Sequence, residues 1–125
     1  MIATKTLLLS FKFAPIELIA YGYCMASKSD LPSSKKLIWP VVQVLKKSTE
    51  PTQKAVIDRQ LIEILGLSQE LVSIPHDNSR AEYQYRSAWA LSYGKKAGYF
   101  ENPARNQWSL TEKGRQIDSA TELVL

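Results

Sequence analysis

From residue 35 onward the apolar positions recur mostly at the three-and-four spacing of amphipathic helices, interrupted by short polar breaks. Leu37, Ile38, Val41, Val42 and Leu45 form a first stripe and predict a helix over 35–47. Pro40 lies inside that run. Lacking an amide and crowding the preceding turn, it should bend the helix or push its start downstream. Residues 48–52 read as a turn, with Thr52 placed to cap a second helix over 53–65 that Gly66 ends. Ile57, Leu61, Ile64 and Leu65 are its inward stripe, and Asp58, Arg59 and Glu63 are expected to face water. Residues 67–71 read as one short helical turn and 74–78 as a polar loop.

The longest signal is 79–99, SRAEYQYRSAWALSYGKKAGY. Ser79 and Glu82 stand at the spacing of a capping box. Lys95, Lys96 and Gly98 suit the negative end of a helix and a left-handed exit from it. Trp89, Ala90, Tyr93 and Ala97, with Tyr85 and Arg86 above them, form one stripe, read here as core-facing. Arg80, Gln84, Ser87, Leu91 and Lys95 form the opposite, polar and basic stripe. A packed back with a hydrogen-bonding front suits a helix that reads DNA, although most amphipathic helices with a solvated face bind nothing. Beyond Gly98, residues 99–101 and 107–110 read as two short strands around a tip that carries Asn102, Pro103, Arg105 and Asn106: a β-hairpin. Thr111 is placed to cap a last helix over 112–122, with Ile117 packing inward.

The amino-terminal stretch reads differently. Leu7, Leu9, Phe11 and Phe13 alternate with Leu8, Ser10, Lys12 and Ala14, a weak strand pattern that Pro15 ends. Residues 1–27 are therefore expected to be an accessory arm, or in part an over-extended start with Met25 as the first residue. Residues 28–125 are expected to be the domain.

Composition narrows the classes. The 125 residues suffice for one core, and 45% hydrophobic with 22% charged residues is ordinary for a soluble protein. The net charge is +4, and without residues 1–24, which hold two lysines and one glutamate, it is +3. That balance permits a nucleic-acid partner without requiring one. One cysteine, Cys24, fits a reducing cytoplasm. With a single histidine, His76, it cannot complete a structural zinc site, and no cofactor is expected. His76 is expected to be a structural loop residue rather than a base. The apolar run near the amino terminus is interrupted by Lys12, Pro15 and Glu17, short of the ~20 residues of a membrane span. Tyr21, Gly22 and Tyr23 do not make a signal-peptidase site.

The order helix, helix, short turn, long helix, hairpin, helix is that of a mainly α winged helix-turn-helix with a small β-hairpin. In that plan the long helix enters the major groove and the hairpin reaches the neighbouring backbone. Arg80, Tyr83, Gln84 and Ser87 would lie nearest base edges, and Lys95, Lys96 and Arg105 would contact phosphates.

Residues 37–115 resemble the N-terminal domain of the Mrr-type restriction endonucleases. The matching pieces are Leu37-Ile38-Trp39-Pro40-Val41-Val42-Gln43-Val44-Leu45, Gly66-Leu67-Ser68, Arg86-Ser87-Ala88-Trp89-Ala90, Tyr93, Lys96-Ala97-Gly98-Tyr99 and Leu110-Thr111-Glu112-Lys113-Gly114. The resemblance implies a winged helix that brings DNA to a separate nuclease domain. It also makes Pro40 a regular feature of the first helix and places Arg86 and Trp89 in structural roles. Two positions depart from the pattern: the family usually has an aliphatic residue where Ser87 stands and a leucine where Gly94 stands.

The nuclease domain of that family uses an acidic residue followed by an acidic-or-Gln, any residue, Lys strand motif, whose carboxylates hold a divalent cation while the lysine supports the attacking water. No Asp, Glu or Gln in this chain has a lysine two places on. The chain is thus expected to be non-catalytic: a DNA-binding module, free-standing or the binding half of a restriction system. Its expected partners are double-stranded DNA, a second copy of itself, and a separate nuclease domain or subunit. The competing reading is a winged helix used for protein contact, with homodimerisation through residues 1–27 and the last helix, or a small transcriptional regulator. Asp77, Glu82 and Glu101 near the proposed contacts favour that alternative.

Overall fold

The computed structural model describes residues 26–125. The arm expected over 1–27 lies outside the described residues apart from Ala26 and Ser27. Lys28–Asp30 form a 3-10 turn, closed by the Ser27 amide donating to Asp30 Oδ2 at 2.9 Å. All other described elements belong to the compact unit Leu31–Leu125.

That unit is helix-rich with a small antiparallel sheet. Its elements are α1 (Ile38–Leu45), β1 (Thr52–Gln53), α2 (Lys54–Leu65), α3 (Gln69–Val72), α4 (Glu82–Lys96), β2 (Phe100–Ala104), β3 (Gln107–Leu110) and α5 (Glu112–Arg115). A 3-10 turn, Ala120–Glu122, follows where the last helix was expected to continue. The strands lie in the order β1-β3-β2.

The hairpin turns through Arg105 and Asn106, and Asn106 takes φ 60°, a left-handed conformation that asparagine tolerates. Pro103 sits in the edge strand β2, where its missing amide costs no ladder bond. The sequence pattern did not reveal β1. Thr52 pairs with Trp108 and Gln53 with Gln107, so Thr52 is a strand residue, and no side chain caps α2.

α1 lies at the centre, packed against α2 and α4. Ile38, Val41, Val42, Val44 and Leu45 are all buried, together with Pro40. Pro40 acts by moving the helix start from 35 to Ile38: it sits in the first turn, where its amide would have no partner inside the helix. Ile57, Leu61, Ala90, Leu91, Tyr99, Phe100, Leu110 and Ile117 complete the core. Gly66 closes α2 at φ 62° and Gly98 closes α4 at φ 94°, the left-handed exits expected of both. Ser68 caps α3 and Thr111 caps α5. Among the described residues no helix is long and apolar enough to cross a membrane.

Candidate nucleic-acid interface

α4 shows a different face to the core from the one its aromatic residues suggest. Its buried positions are Glu82, Tyr83, Ser87, Ala90, Leu91 and Gly94. Trp89 and Tyr93, expected inside, are 44% and 38% exposed. Small residues decide this. Ala90 and Gly94 let α4 approach closely, and a Cβ at Gly94 would overlap the ring of Phe100.

The start of α4 also differs from the expected capping box. Ser79 donates through its amide and hydroxyl to Asp77 Oδ1, and the Arg80 amide donates to the same oxygen at 2.8 Å. These donors, the Ser79 amide foremost, pull the Asp77 carboxyl down to about 2. Gln84 Oε1 accepts from the Ala81 amide at 3.0 Å, so the reciprocal bond lies two residues downstream of the expected pair. Glu82 instead turns into the domain, with its carboxylate 3.0 Å from His76 Nδ1 and accepting from Arg86 Nε at 2.8 Å. Arg86 Nη1 donates onward to the Leu31 and Pro32 carbonyls. Arg86 and His76 are structural, as expected of both.

A second polar cluster sits under the first turns of α4. Asp58, expected to face water, is 6% exposed. Its carboxylate accepts from Lys54 Nζ at 2.7 and 2.8 Å and from Ser87 Oγ at 2.6 Å. Burial pushes the Asp58 carboxyl above its ordinary value, against the pull of Lys54 and the two hydrogen bonds. Lys54 also reaches the Gln84 carbonyl at 3.3 Å, tying α2 to α4. Burial, with the nearby Asp58 charge, likewise raises the Tyr83 hydroxyl.

The expected DNA-facing residues therefore separate. Tyr83 and Ser87 are interior, 7% and 0% exposed, and neither side chain can reach a base edge. Ser87 stands where an aliphatic residue would leave Asp58 without its second donor. Arg80 and Gln84 do come together, lining an open groove of about 360 Å³ with Gln53, Lys54, Ala55, Asp58 and Asn106. The groove continues along α4 past Ala88, Leu91 and Ser92 to Trp108 on β3. Arg105 is exposed at the hairpin tip beside Asn106. Lys95 and Lys96 are exposed at the far end of α4, where Lys96 lines a separate cavity with Lys35 and Tyr93.

Lys54, Asn106 and Ser92 were missed. The first two belong to elements far from α4 in sequence. Ser92, four residues past Ala88, could have been found by continuing the stripe from Gln84.

Chemically, the groove holds a guanidinium, a lysine, the Asp58 carboxylate and three carboxamides, Gln53, Gln84 and Asn106, between a helix face and a hairpin tip. Arg80 is partly engaged: it pairs with Asp77 at 3.4 Å and lies over the Tyr85 ring at 5.2 Å.

Comparison with curated proteins gives no significant match, and comparison with solved structures gives none. A family model described as the Mrr N-terminal domain matches residues 35–120, more than half of the chain. The chain belongs to the Mrr N-terminal domain family.

Proposed function

We propose that this domain binds double-stranded DNA as a winged helix and serves as the non-catalytic, DNA-engaging part of an Mrr-type restriction system. The observation that carries the reading is the groove in which Arg80 and Gln84 of the α4 entry meet Lys54 and the hairpin residue Asn106. In this reading α4 enters the major groove with Gln84, Ala88, Ser92 and Lys95 foremost. The hairpin lays Arg105 on the adjoining phosphates. Gln84 can donate its amide NH2 to a base acceptor while its oxygen stays on the Ala81 amide. Arg80, Lys95 and Arg105 supply phosphate contacts, which position the protein without specifying a sequence.

The family membership supports association with a restriction system, and the missing acidic-x-Lys motif supports a non-catalytic role. The test is binding of the full chain to a labelled random-sequence duplex across a salt series. The expected result is a linear fall of log affinity with log salt, at a slope of about −0.9 per phosphate neutralised. A flat salt response, or no duplex binding at low ionic strength, would contradict the reading.

A further inference from the structure

The outward side of α4 carries a second feature beside the groove stripe. Tyr85, Trp89 and Tyr93 follow one another at four-residue spacing, covering about 12 Å of helix axis at 1.5 Å per residue. Their rings are in contact throughout. His76 stacks on Tyr85 with centroids 3.5 Å apart and 12° between planes. Tyr85 meets Trp89 edge-on at 6.4 Å, and Trp89 meets Tyr93 at 5.6 Å. A cation closes each end of the ladder: Arg80 over Tyr85 at 5.2 Å and Lys35 Nζ over Tyr93 at 5.9 Å. Arg80, Tyr85, Ala88, Trp89 and Ser92 line a shallow depression of about 270 Å³ on this side.

From this juxtaposition we propose that the aromatic ladder of α4 is a stacking site for two or three unpaired nucleobases of a single DNA strand. Three points lead there. Trp89 and Tyr93 are exposed, while His76 and Arg80 cover Tyr85, and exposed rings on a helix present flat apolar faces, which bases cover regardless of sequence. Lysine and arginine at both ends suit a polyanion running along the ladder. A second copy of the chain is disfavoured as occupant, because antiparallel pairing of two ladders would bring the Arg80 end of one against the Lys35 end of the other. The site goes beyond the duplex reading: its key side chains, Trp89 and Tyr93, take no part in the groove.

The test is fluorescence anisotropy of the full chain with labelled oligo(dT) of about ten nucleotides, within the usual single-strand site size. An abasic strand of equal length carries the same phosphates without bases. Wild type is expected to bind oligo(dT) about tenfold or more tightly than the abasic strand. Trp89→Ala should lose about that factor on oligo(dT) alone, and Trp89→Phe should recover most of it. Equal binding of oligo(dT) and the abasic strand, an unchanged affinity in Trp89→Ala, or no oligo(dT) binding at all would each overturn the proposal. Duplex binding measured in parallel keeps the two readings apart: oligo(dT) binding that depends on Trp89 stands even if duplex binding is absent, and its loss leaves the groove reading untouched.

Discussion

The two halves of α4 are held in place by different physics. The carboxy-terminal half sits on an apolar seam in which Ala90, Leu91 and Gly94 join the core with α1 and the Phe100 ring. The amino-terminal half rests on two buried polar clusters, Lys54–Asp58–Ser87 and His76–Glu82–Arg86. Close packing fixes where a helix lies, to within a methyl group. A hydrogen-bonded cluster fixes rotation and side-chain direction at a cost in desolvation. The polar half is the half beside the groove, where the direction of Arg80 and Gln84 matters.

Substitutions should separate the two halves. The largest loss is expected at the apolar seam: Leu91→Ala should cost about 2–5 kcal/mol in chemical denaturation. Gly94→Ala should cost about 1–3 kcal/mol by overpacking, which outweighs the roughly 1 kcal/mol gain in helix propensity. The buried position of Phe100 leaves its ring little room to yield. Asp58→Ala should cost about 1–3 kcal/mol, less than Leu91→Ala, since Lys54 keeps some access to water and Ser87 Oγ retains the Gln84 carbonyl at 2.9 Å. The mark of the polar half would be a further loss of duplex affinity in Asp58→Ala at salt and temperature where the domain stays folded.

The pH response sharpens the contrast. With its carboxyl raised by burial, Asp58 contributes stability that is fully present below the unfolded pKa and is lost as pH rises through the folded one. Wild type should therefore gain on Asp58→Asn as pH falls through the carboxylate range, in thermal melts run side by side. The exposed Asp77 works in the opposite sense: its contribution is present at neutral pH and fades as pH falls toward about 2. The Arg80–Asp77 pair, with both partners more than two-fifths exposed, is screened by solvent and contributes little. Asp77→Asn is therefore the mildest change in melting temperature of the set.

How much of this was legible in the sequence follows from the range of the forces involved. Gly66, Gly98 and Thr111 act within a turn of their own position, and the ends they mark were readable. Ile57, Leu61 and the α1 stripe were readable because their helices have a single apolar face. α4 has two candidate faces of similar apolarity, and the larger rings drew the core assignment to the wrong one. The deciding residue was Gly94, whose missing side chain is informative only once Phe100 is known to lie above it. Asp58 looked solvent-facing because its partners, Lys54 at four residues' distance and Ser87 at twenty-nine, become a cluster only on folding. β1 has two residues, too few to show a period.

The duplex reading turns on Arg80 beside the groove and Arg105 at the hairpin tip taking the backbone of double-stranded DNA. The most direct measurement is the salt slope of duplex binding for Arg80→Ala and Arg105→Ala, set against Lys47→Ala, an exposed lysine just beyond α1. Each arginine substitution is expected to lower the slope by about one phosphate while Lys47→Ala leaves it unchanged. Equal slopes for all three variants, or a drop with Lys47→Ala alone, would contradict that reading.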